Sequence, residues 1–131
     1  MGRLSGVRVV ALEDVPPIEL PGGSWSRVLL TGERVASSSA LGFSSFAAGT
    51  STAMLSHATE ELAYVLTGQG ELRLDDDTVP YGAGSALFIP AGVWHAVANT
   101  GDEPVTMVFA FPHPDYPPTD RRPADAPESA R

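Results

Sequence analysis

The sequence predicts an all-β fold. Three observations carry this: short apolar segments recur between Gly, Pro and acidic breakers, several alternate apolar with polar residues, and no amphipathic helix of any length appears. Many short strands without intervening helices argue a sandwich or barrel, and a closed jelly roll is the form that best manages exposed edges.

The elements follow in chain order. Residues 7–12 and Trp25–Leu30 read as strands because β-branched and aromatic residues cluster there around Pro16-Pro17 and Gly22-Gly23. They are expected to cover the barrel edge or to pair with a second subunit. Ala40–Phe46 is the next strand. Residues 62–66 then run through Gly68-Gln69-Gly70 into residues 71–74, and this pair reads as a hairpin. Its alternation predicts Leu72 and Leu74 buried, with Glu71 and Arg73 facing water or a partner. Residues 86–90, residues 93–98 and Val105–Phe111 complete the set, with Asn99 to Asp102 as the last turn. Val105, Met107, Phe109 and Phe111 share a face. Beyond Phe111 the chain holds half of its 12 prolines and almost no aliphatic residues, so an extended or disordered tail is expected, draped over a surface near Tyr116. The expected organisation is N-terminal strands over residues 1–38, a barrel over 39–111 and a Pro-rich tail over 112–131.

Composition narrows the chemistry by exclusion. At 131 residues the chain is one domain with one core. It has no cysteine, which removes disulfides and thiolates, and no lysine, which removes Schiff-base chemistry. No stretch has the length of a signal peptide core or a membrane span, so the expected location is the cytoplasm. The formal charge of −8 repels phosphate backbones, and nucleic acid is not an expected partner. Asp75 to Asp77 read as a solvated turn.

Two spaced motifs carry the chemistry. Gly84, Pro90, Gly92, His95 and Asn99 fit G-x5-P-x-G-x2-H-x3-N. Upstream, Gly49, His57, Glu61 and Gly68 fit G-x5-H-x-H-x3-E-x6-G except that Leu55 stands at the first His. Fifteen residues separate Gly68 from Gly84. This pair of motifs, covering residues 49–99, resembles the cupin superfamily, and the spacing resembles its small microbial members. The resemblance implies a single-domain cupin jelly-roll β-barrel with His57, Glu61 and His95 as metal ligands. Such cupins commonly dimerise, so a homodimer is expected.

Strand parity is consistent with that ligand set. Leu55 and His57 fall on one face, Glu61 keeps parity with Ala63 and Val65, and His95 shares a face with Val97 and Asn99. If both faces look into one barrel, two imidazoles and a carboxylate converge. That donor set suits Fe(II) and is compatible with Mn, Ni or Zn, which makes one divalent transition metal the expected cofactor. Glu60 competes with Glu61 for the carboxylate role, and Glu61, if not held by the ion, is the candidate catalytic base. His113 is read as an ordinary surface residue. Met54, Leu55, Ala63, Val65, Val97 and Met107 are expected to make the pocket around the ion apolar, for a small and partly hydrophobic ligand.

Fold does not select among cupin activities. The expected function is a mononuclear-metal enzyme acting on a small organic substrate, by oxygenation of the non-haem iron dioxygenase kind or by metal-assisted isomerisation or elimination. The alternative is a non-catalytic binding module whose metal site is degenerate because Leu55 replaces a ligand. A sensor would usually need an attached DNA-binding domain.

Overall fold

The computed structural model describes residues 6–122. Its strands are β1 (Ile18–Glu19), β2 (Trp25–Leu30), β3 (Ala40–Phe46), β4 (Met54–His57), β5 (Glu61–Thr67), β6 (Gln69–Arg73), β7 (Thr78–Gly82), β8 (Ala86–Ile89), β9 (Ala96–Asn99), β10 (Val105–Phe111) and β11 (Thr119–Arg122). One turn of helix, α1 (Gly32–Val35), starts at Thr31, whose hydroxyl accepts the Arg34 backbone N–H. The fold is all-β and forms the two facing sheets of a jelly roll.

One sheet has six antiparallel strands in the order β1-β2-β3-β10-β5-β8. The other is made of β7-β6-β9 and β11-β4, joined where Leu55 and His95 exchange backbone hydrogen bonds of 2.7 and 2.9 Å. Strand β10 lies between β3 and β5 and alternates cleanly, with Val105, Met107, Phe109 and Phe111 all buried. They pack with Val65, Leu72, Tyr81 and Ile89 in the space between the sheets. On β3 the inward residues are Ala40, Gly42, Ser44 and Phe46. Gly42 is required by close approach, because a Cβ there would stand 2.2 Å from the Phe109 ring.

Three local expectations change. No strand forms over residues 7–12, where Val9 is 92% exposed and Leu12–Asp14 makes a 3-10 turn. This segment is held by a side chain instead of a ladder: the Arg27 guanidinium donates to the carbonyls of Leu12 and Val15. The expected β5–β6 hairpin is also absent. Gly68, at φ +85° and packed against Pro104 and Val105, turns the chain out of the first sheet, so β5 pairs with β10 and β8 while β6 pairs with β7 and β9.

The true hairpin is β6–β7, closed by Leu74 N–H to Asp77 C=O at 2.8 Å. Leu72 is buried, whereas Leu74 sits half-buried at this turn. β7 carries Pro80 and was hidden for that reason; it is an edge strand, where a missing N–H costs no ladder bond. The third change is β11, an ordered strand in the Pro-rich segment that pairs with β4 residue by residue from Thr119–His57 to Arg122–Met54. Residues 123–131 of that segment, and residues 1–5, lie outside the described residues.

Among the described residues no helix is long and apolar enough to cross a membrane.

Candidate metal centre

Three separate pieces of backbone bring the site together. His57 ends β4, Glu61 opens β5, and His95 precedes β9 at the bridge to Leu55. The turn after Pro90 is fastened to the same place, since the Gly92 N–H donates to the His57 carbonyl at 2.8 Å. His57 and His95 are 4% and 1% exposed. Glu61 Oε1 lies 3.3 Å from His57 Nε2 and 3.6 Å from His95 Nε2. Glu60, the competing carboxylate, is exposed, and His113 is turned to the Asp115 backbone.

The hydrogen bonds behind each imidazole fix its tautomer. His95 Nδ1 faces the Val93 carbonyl at 2.9 Å and must carry a proton to donate to it. His57 Nδ1 faces the Thr119 hydroxyl at 2.8 Å, and that hydroxyl donates its own proton to the Pro117 carbonyl. Thr119 therefore accepts from His57, whose Nδ1 also carries a proton. Nε2 of each ring then points toward the same carboxylate oxygen. Lone pairs facing an anion repel, so a positive charge must sit among them, either a proton or a cation.

The donor spacing fits a cation. Ligands held at about 2.0–2.2 Å in tetrahedral or octahedral geometry are themselves about 3.0–3.5 Å apart, close to the distances found. The three ligand atoms lie within 4.8 Å of one another, and the backing Nδ1 hydrogen bonds orient both rings as metal-binding histidines require. These residues can hold a divalent ion. Because a proton competes for the same lone pairs, occupancy should fall on acidification.

Glu61 titrates under opposing influences. Burial pushes its carboxyl up, but the hydrogen bonds and charge of His57 and His95 together outweigh that and leave it below its ordinary value of 4.5. A depressed carboxyl contributes stability that is full above the ordinary value and is lost as pH falls through the folded-state value. Wild type should therefore resist urea better than Glu61→Gln at neutral pH, with the gap in midpoints closing below pH 4.5. A gap that stays constant through that range would show that the carboxylate is not held by the two imidazoles.

The triad forms part of the wall of a cavity of about 360 Å³ between the sheets. Of the apolar residues expected around it, Leu55 and Val97 line the cavity, whereas Met54, Ala63, Val65 and Met107 are buried in packing outside that lining. Leu20, Phe46 and Phe109 supply the apolar wall in their place. Asn99, which parity placed on the face of His95, does not line the cavity. It clamps the barrel by donating to the carbonyls of Phe46 and Glu103 at 2.9 Å each.

Two cavity positions were missed in the sequence, Tyr116 and Thr119. Both line the cavity, brought there by the two prolines between them and by the pairing of β11 with β4. Tyr116 packs edge-on against His57 and Phe111, and burial, followed by the Glu61 charge, pushes its phenol up to about 12. It stays a hydrogen-bond donor at neutral pH. The available signal was a Tyr and a Thr bracketing Pro-Pro just after the last apolar strand.

Comparison with known proteins agrees with this architecture. The chain is 35% identical to Protein SchB of Streptomyces halstedii over 113 residues, 82% of each chain. It is 31% identical to the tetracenomycin polyketide synthase protein TcmJ of Streptomyces glaucescens, over 92% of this chain and 85% of that one. Among solved structures it resembles the polyketide cyclase RemF from Streptomyces resistomycificus, with a TM-score of 0.74 at 26% identity, covering 93% of this chain and 88% of RemF. Residues 42–111, more than half of the chain, match the cupin domain model, and the chain belongs to the cupin family.

Proposed function

We propose that this chain is a metal-dependent cyclase that closes rings on an enolisable polyketide. The observation that carries the reading is the convergence of His57 Nε2, His95 Nε2 and Glu61 Oε1 on one point in the wall of an apolar cavity. The names of TcmJ and RemF support the substrate class, since they belong to a polyketide synthase protein and a polyketide cyclase. The cavity volume of about 360 Å³ is at the lower end of the range for small-molecule sites, enough for a folded, partly aromatic chain.

The reaction is an intramolecular aldol condensation. His57, His95 and Glu61 would hold a divalent ion, which when bound would supply Lewis acidity toward a 1,3-dicarbonyl segment. Because Glu61 faces both imidazoles through Oε1 alone, holding an ion through that atom would leave its other carboxylate oxygen free to serve as the base that takes the proton from the methylene between two carbonyls. The resulting carbanion attacks a carbonyl carbon further along the same chain, forming the C–C bond while the C=O π pair moves to oxygen. Tyr116, protonated at neutral pH, donates its phenolic hydrogen to that oxygen and recovers it from solvent, to which Glu61 releases the proton it took. Loss of water from the ring alcohol then gives the aromatic ring. Leu20, Phe46 and Phe109 fold the apolar parts of the chain and exclude water from competing protonation.

The test supplies the full chain to a purified minimal polyketide synthase and measures the share of singly cyclised product. Wild type should raise that share, and Glu61→Gln should lower the rate of ring closure by about 10²–10⁴-fold, the usual contribution of a positioned base. Identical product profiles with and without the protein would reject the reading. The two-histidine, one-carboxylate donor set taken alone favours a second reading, an iron oxygenase, marked by iron in the purified protein and oxygen uptake with a phenolic substrate.

A further inference from the structure

We infer that Ser26 and Ser44 form a second polar subsite in this cavity, one that donates a hydrogen bond to a carbonyl or ether oxygen on the part of the ligand remote from the His57–Glu61–His95 triad. The inference rests on the reading of the cavity as a polyketide site and adds to it which part of the ligand is read, and by what.

The argument is an accounting of hydroxyl protons. Several serine and threonine hydroxyls line the cavity and nearly all direct their protons to the protein, while the Tyr116 hydroxyl belongs to the triad's end, its ring packed on His57. Thr52 donates to the Ala53 carbonyl at 2.8 Å and accepts the Val97 N–H, and Ser51 donates to the Thr52 carbonyl. Thr119 donates to Pro117. Thr50 donates to Ala47, so in its contact with Ser24 at 3.2 Å it is Ser24 that donates.

Ser26 and Ser44 differ. They stand directly opposite each other across β2 and β3, with oxygens 2.7 Å apart, and among the described residues each hydroxyl has no other protein partner. Two hydroxyls carry two protons and one hydrogen bond uses one of them. Whichever residue donates, one O–H is left without a protein acceptor among the described residues. Ser44 is 4% exposed, both residues line the cavity, and the surrounding wall includes Leu20, Phe46 and Phe109. An apolar wall would be better filled by Val or Ala at these positions unless the surplus donor meets an acceptor on a ligand.

Position sets what that ligand is. β3 is two strands from β5 across β10, so Ser44 stands about 10 Å across the sheet from the strand carrying Glu61. A ligand that touches both is a fused-ring or folded polyketide roughly three or four rings long, with an oxygen acceptor at its far part. Because a single surplus proton serves either residue, the two serines are interchangeable as donors.

Calorimetric titration of the full chain with tetralone and with tetralin, the same bicycle without the ketone oxygen, tests this. The ketone only accepts hydrogen bonds. Wild type should bind tetralone roughly three- to tenfold more tightly than tetralin, the worth of one neutral hydrogen bond. Ser26→Ala and Ser44→Ala should each keep that preference, since one free O–H remains in either. Only the double variant should lose it, with tetralin affinity unchanged throughout. A tetralone preference that survives in the double variant overturns the subsite and leaves the cyclase reading untouched, as does a single variant that abolishes it. Failure of wild type to bind either bicycle removes the cavity as an aromatic-ligand site, and the subsite falls with it.

Discussion

Replacing His95 by Ala is expected to strip the protein of its metal and its ring-closing activity together. His95 is 1% exposed and its ring is fixed by the Val93 carbonyl, so no neighbouring group can swing in to replace Nε2. A site reduced from three protein ligands to His57 and Glu61 should hold Zn2+ at least about 100-fold more weakly, because backing partners alone are worth about 10- to 100-fold in such sites and a ligand is worth more. Elemental analysis of protein purified without chelator should fall from near one transition metal per chain to a small fraction, and the cyclisation rate should fall to the level of the synthase alone. The substitution also leaves a hole in a buried region, at about 2–4 kcal/mol by analogy with other large-to-small changes. His95→Gln keeps most of the volume and a polar end, and should lose metal while melting closer to wild type. A metal-free wild type whose melting temperature does not move on adding Zn2+, Mn2+, Fe2+ or Ni2+ would remove the metal from the account altogether.

The parts of this site legible in the sequence are those fixed by short-range geometry. His57, Glu61 and His95 were named through the resemblance that the motif spacing carries, strand parity is consistent with them, and the barrel brings their side chains together at one point. What could not be read was which strands become neighbours. β5 and β6 are one residue apart in the chain yet belong to different sheets, because the conformation at Gly68 and its packing against Val105 decide the direction of departure. The same limit hid Tyr116 and Thr119. Their importance comes from the pairing of β11 with β4, a contact across more than 60 residues that no local pattern announces. Met107 and Val65 show the converse error: they lie on inward faces, but an inward face of a jelly roll supplies both core and cavity, and only the packing of the opposite sheet separates the two.

Leu55→His is expected to move metal affinity and ring closure in opposite directions. Leu55 is on the face of β4 that carries His57, it lines the cavity, and its backbone is bonded on both sides to His95, so an imidazole placed there starts beside the other ligands. A fourth protein donor should tighten Zn2+ binding by roughly 10- to 100-fold in competition with a chelator, equivalent to about 1.4–2.7 kcal/mol. The cost falls on the substrate. An ion held by three protein residues would leave more room for substrate oxygen donors than one held by four, so the added imidazole would compete with the substrate for it. The polar ring also replaces apolar wall that packs the chain. Cyclisation by the variant should therefore slow by at least about tenfold while its metal content rises, a combination that instability cannot produce. Equal metal affinity in Leu55→His and wild type would mean that residue 55 does not face the ion. Tighter binding with undiminished cyclisation would mean that the open position is not used by the substrate, and that Leu55 serves only to keep the cavity apolar.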